Sequence, residues 1–220
     1  VMSQEKQPLI IYGTPWCPDC RRSKQFLGEH RVAYDYIDID QDPAAQAEVT
    51  RINRGNRSVP TIVFPDGTSL TEPSNEALAQ KLGLVTTAKY DFYDLVIAGG
   101  GPAGLTTAIY AAREGIRTLI LERGAAGGNV GNTQHMENYP GFDEGISGQE
   151  FAERLTRQAK KFGVEVLQAS GVQSLGREDQ YLCIETTSGK EYSARAVLIA
   201  TGSRYRRLMI PGERELIGSA

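Results

Sequence analysis

The chain has 220 residues with 24 Lys plus Arg against 27 Asp plus Glu, a net charge of −3 at pH 7, and at roughly 150 residues per domain that length holds one to two domains. The charge balance excludes a general electrostatic footprint for nucleic acid, no apolar run approaches the length that spans a bilayer, and three cysteines cannot build a disulfide scaffold. Only 5 of 24 glycines but 7 of 10 prolines fall in the first 90 residues, so two unlike segments are expected, joined near residue 90. The first residues lack an apolar signal region, and the expectation is a cytoplasmic protein without membrane or nucleic-acid partners.

The first segment alternates strand and helix signals. Leu9-Ile10-Ile11-Tyr12, stopped by Gly13, reads as a buried strand. A helix follows from Pro18 to about Glu29, then a strand over 33–39 and a helix over 43–54 opened by Pro43. Strands over 59–64 and 68–71 flank Pro65-Asp66-Gly67, a hairpin turn. A last helix runs from about Pro73 to Leu82. The order βαβαββα predicts a small mixed sheet covered by helices.

Cys17-Pro18-Asp19-Cys20 lies between the first strand and the first helix. A cysteine there meets unpaired backbone N–H groups and the positive end of the helix dipole, and Arg21, Arg22 and Lys24 add positive charge. All favour thiolate, so Cys17 is expected to be the exposed nucleophile and Cys20, one turn deeper, the resolving thiol. The alternatives are a structural zinc site or incidental thiols. A closed zinc site needs four ligands, and the other candidates, Cys183, His30 and His135, are distant in sequence, so no metal is expected. Pro60 would start a strand interior where it removes a ladder donor. A cis bond facing the cysteines or an edge-strand proline would each account for it.

The stretch Trp16-Cys17-Pro18-Asp19-Cys20, with Ser58-Val59-Pro60-Thr61, resembles the glutaredoxins across residues 8–83. Gly55 to Thr61, Asp66-Gly67-Thr68 and Leu70 to Ser74 are most similar to the mycoredoxins. The resemblance implies a thioredoxin fold, Cys17 as nucleophile, and Pro60 in cis beside the active site. Asp19 departs from the usual residue between the cysteines. Thr71-Glu72-Pro73-Ser74 replaces the double glycine that binds glutathione, which argues against glutathione and leaves another low-molecular-weight thiol, such as mycothiol, open.

In the second segment Asp94 to Ala98 is an apolar run of the kind buried parallel strands show. It enters Gly99-Gly100-Gly101-Pro102-Ala103-Gly104, then a helix to Glu114 and a strand over 117–122 that ends in Glu122. Gly99 permits the tight turn, Gly101 lets backbone approach a pyrophosphate, and Gly104 allows close helix–strand packing. The helix N-terminus faces the phosphates. Glu122 would accept from ribose hydroxyls and repel a 2′-phosphate. Strand, turn, helix, strand and terminal acid in register point to a dinucleotide cradle, the alternative being a glycine-rich structural turn. A second glycine loop spans 125–131, and a capping-box helix opens at Ser147. Strands are expected at 164–168, 172–176, 180–187 and 190–192, with a return to the parallel sheet at 196–200. Cys183 reads as a buried small apolar residue.

This half resembles the thioredoxin reductases of small bacterial type across residues 93–218. The matching pieces are Gly99 to Gly104, Glu122, Gly127-Gly128, Glu137 to Gly141, Ile146-Ser147-Gly148 and Ala200-Thr201-Gly202. The resemblance implies FAD as cofactor. Gly99, Gly101, Pro102, Ala103 and Gly104 would hold its pyrophosphate and Glu122 its adenosine ribose, with Arg123 a further cofactor-binding candidate. Gly127, Gly128 and Asn138 would approach the flavin, Val172 the adenine, and Ala200, Thr201 and Gly202 would close over it. Asn129 stands where glutamine is common. In such reductases an NADPH domain carrying a second C-x-x-C follows the position of Pro211-Gly212-Glu213. The chain stops at Ala220, so it is expected to be a truncated part of a longer reductase.

The expected architecture is therefore α/β. A glutaredoxin-like thioredoxin-fold domain (1–84) is joined by a linker (85–91) to a partial, Rossmann-like FAD-binding domain (92–220). The expected function is flavin-linked thiol–disulfide oxidoreduction, with NADPH as reductant in a parent protein that the resemblance implies to be a homodimer. Expected partners are protein disulfides, mixed disulfides of a low-molecular-weight thiol, thioredoxin or peroxiredoxin. The linker would tether Cys17 at high effective concentration. The alternatives are a peroxiredoxin reductase component and a non-catalytic FAD-binding redox sensor.

Overall fold

The computed structural model describes residues 8–203. The first sheet has strand order β2-β1-β3-β4, formed by β1 (Leu9–Gly13), β2 (Tyr34–Asp38), β3 (Thr61–Val63) and β4 (Ser69–Thr71). β1 runs parallel to β2 and antiparallel to β3. Strand alternation divides β1 between two cores. Leu9 and Ile11 pack with Ile62, with Phe26 and Leu27 of α1 (Pro18–Glu29), and with Leu78 of α3 (Asn75–Lys81). Tyr12, with Ile10 against it, packs with Ala45 and Val49 of α2 (Pro43–Ile52) on the other side. Each helix is started by a side-chain cap. Cys17 caps α1, Asp42 caps α2 and Ser74 caps α3, with proline at the first helical turn of α1 and α2.

The second sheet has order β7-β6-β5-β10-β9-β8. Its parallel part comprises β5 (Phe92–Ala98), β6 (Thr118–Leu121), β7 (Glu165–Leu167) and β10 (Glu191–Ile199). β8 (Val172–Glu178) and β9 (Tyr181–Thr186) extend it as an antiparallel meander. Ile97 and Ile120 pack with Leu105, Ala108 and Ile109 of α4 (Pro102–Arg113) and Ala159 of α5 (Gly148–Lys161). Val96, Leu119 and Leu121 face a second core with Tyr93, Ile184 and Tyr192. Ser147 caps α5 through the Glu150 N–H, as the capping-box pattern predicts. The sheet is Rossmann-like and the whole is α/β.

Two expectations change. The strands expected at 190–192 and 196–200 are one nine-residue strand, β10. No glycine or proline interrupts it, and Ser193 and Ala194 pair with β9 on one edge and β5 on the other. The linker, expected to act as a tether, is docked. The Gln168 N–H donates to the Val85 carbonyl, and Lys190 Nζ donates to the Thr86 carbonyl and Thr87 Oγ1. The Lys89 N–H donates to Glu165 Oε2, and the Ser193 N–H to the Asp91 carbonyl. Pro211, Gly212 and Glu213 lie outside the described residues. Among the described residues no helix is long and apolar enough to cross a membrane.

Candidate active site and dinucleotide cradle

Cys17 is the N-cap of α1, and its Sγ accepts the Cys20 N–H at 3.1 Å. The sulfur therefore sits at the positive end of the helix dipole. The thiol form donates instead to the Val59 carbonyl at 3.6 Å. The Val59–Pro60 bond is cis, which decides between the two readings of Pro60. A polar clamp holds this turn. Thr61 Oγ1 donates to the Ser58 carbonyl, Asn53 Nδ2 donates to Thr61 Oγ1, and Thr71 Oγ1 donates to Asn53 Oδ1. Cys17 was expected to be exposed. It is only 5% exposed, because its sulfur is drawn back between the helix amides and the Val59 carbonyl.

Cys20 is fully buried. Burial pushes its thiol up to about 12, and the hydrogen bond with Cys17 pushes the same way. Room for its sulfur comes from Gly13, where a Cβ would stand 2.9 Å from Cys20 Sγ and 3.0 Å from the Tyr36 ring. Tyr36, its hydroxyl buried without a partner among the described residues, is likewise pushed up to about 12 by burial. Lys24 Nζ lies 4.2 Å from the Tyr36 ring centre. In the sequence Gly13 marks only a strand stop, and no motif singles out Tyr36. The basic cluster also changes, since Arg22 pairs with Asp19 and donates to the Pro73 carbonyl. Exposed Trp16 donates its indole N–H to Asp40 Oδ2 at 3.1 Å. Iodoacetamide at pH 7.5 should therefore alkylate Cys17 well before Cys20, with Cys20 modified only on unfolding. Peptide mass spectrometry of a time course checks this, and equal rates would contradict the assignment.

In the second sheet, the glycines stand where backbone approaches backbone. A Cβ on Gly99 (φ 110°) would overlap the Ala200 carbonyl, and one on Gly104 would overlap the Gly99 carbonyl. Gly101 caps α4 without a side-chain hydrogen bond, and its Cβ position is open space. The second glycine loop lies over the first. The Gly127 N–H donates to the Gly100 carbonyl at 2.8 Å, and a Cβ on Gly128 would be 3.3 Å from Gly101 Cα. Glu122 closes the turn, with Oε2 accepting from the Gly100 N–H at 2.7 Å and Oε1 from the Gly124 N–H at 2.8 Å. An open helix N-terminus beside a fixed carboxylate fits a pyrophosphate and an adjoining ribose.

The structure thus gathers Gly99, Gly101, Pro102, Ala103, Gly104, Glu122, Gly127, Gly128, Ala200 and Thr201. Arg123 lies beside Gly171, next to Val172 at the start of β8. Asn138 lines a shallow groove of about 640 Å³ with Thr133, His135, Met136 and Glu137. It makes no hydrogen bond to the first glycine loop among the described residues. Asn129 Nδ2 donates to the Ser203 carbonyl, tying the second glycine loop to the segment after Gly202. Gly148 was singled out only as part of a motif. A Cβ there would overlap the Val130 carbonyl, so α5 seats directly against the second glycine loop. Cys183 is half-buried in β9, and among the described residues no cluster of His, Cys, Asp or Glu could hold a metal.

Residues 93–220 match the family model for pyridine nucleotide-disulphide oxidoreductases. The chain belongs to that family. Residues 9–69 match the glutaredoxin family model, so this pyridine nucleotide-disulphide oxidoreductase carries a glutaredoxin domain ahead of its Rossmann-like part. Within the family, thioredoxin reductase of Bacillus subtilis (strain 168) is 44% identical over 126 residues, 57% of this chain and 39% of that protein. A bifunctional thioredoxin reductase/thioredoxin of Mycobacterium leprae (strain TN) is 40% identical over 132 residues, 60% of this chain and 29% of that protein. The crystal structure of thioredoxin reductase from Streptococcus pyogenes MGAS5005 superposes with a TM-score of 0.53 at 44% identity, over 57% of this chain and 40% of that chain. The chain spans about two-fifths of the length of the thioredoxin reductases it matches.

The two halves meet at the C-terminal end of α1. Arg31 pairs with Glu153 at 3.0 Å, and Ala169 of the second half belongs to the core cluster of the first. His30, its ring tilted against that of Phe26 at 4.3 Å, is held below its ordinary value by burial, with the Glu122 charge opposing the shift. The unfolded chain therefore takes up this proton near pH 6.5 and the folded chain at lower pH. This contribution to stability is complete above about pH 6.5 and falls as the pH drops below it. Thermal unfolding between pH 7.5 and 5.5 should show that slope, and His30→Asn should flatten it.

Proposed function

We propose that this chain is the front portion of a flavin-linked disulfide reductase in which a glutaredoxin-like head (1–84) and linker (85–91) precede the FAD-binding part (92–220). The observation that carries the reading is the cradle: an uncapped helix N-terminus at Gly101, roofed by Gly128, beside the fixed Glu122 carboxylate. Gly99 to Gly104 would hold the pyrophosphate, Glu122 the adenosine ribose, and Ala200 and Thr201 the near side. Bound there, FAD supplies a two-electron carrier between a reduced nicotinamide and a disulfide.

The head supplies the thiol chemistry. Cys17 thiolate attacks one sulfur of a substrate disulfide, forming a mixed disulfide and releasing the other half as thiolate. Cys20 then loses its proton and attacks Cys17 Sγ, releasing the second half and leaving a Cys17–Cys20 disulfide. A reduced dithiol of the parent reductase returns two electrons to that disulfide and is itself oxidised. Disulfides of proteins or of a low-molecular-weight thiol are the substrate class. Three free cysteines suit a reducing compartment such as the cytoplasm.

Calorimetric titration with FAD, and competition by ADP-ribose and its 2′-phosphate, tests the cradle. The reading expects saturable one-to-one binding of FAD, competition by ADP-ribose, and little by the 2′-phosphate, which Glu122 repels. No FAD binding, or preference for the 2′-phosphate, would overturn it.

A further inference from the structure

Contacts between the two halves reach the Glu122–Gly124 turn and the 168–171 segment, the part of the cradle to which the proposed function assigns adenosine. Glu122 and Gly124 form one side, and a Cβ on Gly124 would stand 2.6 Å from Glu29 Oε2, at the end of α1. The other side is the segment 168–171. Its Ser170 N–H donates to the Glu122 carbonyl, its Gln168 Oε1 accepts the Ala126 N–H, and its Gly171 backs onto Arg123. The same segment is what the head and linker hold, through Val85 on Gln168 and the head's core around Ala169. His30 is wedged there with Nε2 buried and without a partner among the described residues. Arg31–Glu153 and Lys190 with Glu76, Thr86 and Thr87 pin the two margins of this contact.

We propose that the glutaredoxin-like head is a structural part of the dinucleotide site. Its docked α1 end and linker pre-order the Glu122–Gly124 turn and the 168–171 segment, so docking of the head and binding of an adenine dinucleotide strengthen each other. The inference rests on the cradle reading above. Pre-ordering removes conformational freedom that the ligand would otherwise have to remove. The coupling is reciprocal by linkage, so bound dinucleotide must hold the head in place by the same factor. The nucleophile lies at the opposite end of α1, about 18 Å along a twelve-residue helix. The head is therefore held by the end that does no chemistry.

The test uses FAD as the probe on the whole chain. Arg31→Glu with Lys190→Glu reverses both pins without touching the cradle, and should weaken FAD binding by about five-fold. Adding Glu153→Arg and Glu76→Lys restores the two pairs in swapped sense and should recover the affinity. In the unmodified chain, saturating FAD should slow hydrogen exchange at Lys89 and Tyr90, linker amides that touch no cradle residue, by a similar factor. Unaltered affinity in the double variant, together with linker exchange indifferent to FAD, would overturn the coupling while leaving the cradle reading intact. A chain that binds no FAD overturns both.

Discussion

Cys20→Ser should arrest the head as a mixed disulfide through Cys17, and Cys17→Ser should lower disulfide reduction by on the order of 10³-fold or more. Cys17 alone carries the helix-capping position, where its sulfur accepts the Cys20 N–H beside the Val59 carbonyl. A hydroxyl there keeps the cap but is a far weaker nucleophile. The head should therefore remain folded while losing its reaction, and circular dichroism separates the two. Cys20 is buried with its proton held tightly. It is suited to act only once Cys17 has become the electrophile, so its removal blocks resolution and spares attack. Intact-mass spectrometry of the Cys20→Ser chain after exposure to a small disulfide should show one added thiol, at Cys17. An adduct at Cys183, or none, would contradict the assignment.

Gly104→Ala is the second large effect. A Cβ at this position would overlap the Gly99 carbonyl and would stand 3.2 Å from Ile97 Cγ2. Backbone is the obstacle, so no side-chain rotation relieves it. Moving α4 away from β5 opens the core around Leu105, Ala108 and Ile120. Overpacking of this kind costs about 3 kcal/mol, which for a chain of this size lowers Tm by roughly 6–12 °C. The same displacement tilts the helix N-terminus at Gly101, so FAD affinity should fall with it. Gly101→Ala is the control, because its Cβ position is open in the structure. It should leave Tm nearly unchanged and weaken only the bound dinucleotide. Thermal scans of both variants with and without FAD distinguish a packing glycine from a ligand-facing one.

Much of this was legible because local chemistry and tertiary role coincide. Gly99 and Gly101 sit between an apolar run and a helix whose first turn holds Gly104, where few arrangements other than a strand–turn–helix cradle satisfy them. Cys17 before Pro18 announces a helix start, and Cys17 caps α1. What was not legible depends on contacts between segments far apart in sequence. Gly13 looks like a strand stop until α1 folds back and places Cys20 Sγ against it. The burial of Cys17 depends on the carbonyl of Val59, forty-two residues away. The nine residues of β10 read as two strands because β9 pairs only with its first half while β5 pairs from Ser193 onward, pairings that no local pattern reports. Residues 85–91 read as a tether because the partners of their backbone groups, Glu165, Gln168, Lys190 and Ser193, lie far along the chain. Periodicity reports the face a strand buries and is silent on what that face or a connecting segment meets.

The proposed function joins a flavin cradle and a dithiol head in one chain. Its most direct test is the visible spectrum of the purified chain after incubation with FAD and removal of free cofactor. A protein-bound flavin spectrum at one FAD per chain is expected, greatly reduced in Gly104→Ala. A chain that carries no flavin, or one whose flavin content is indifferent to Gly104, would contradict it.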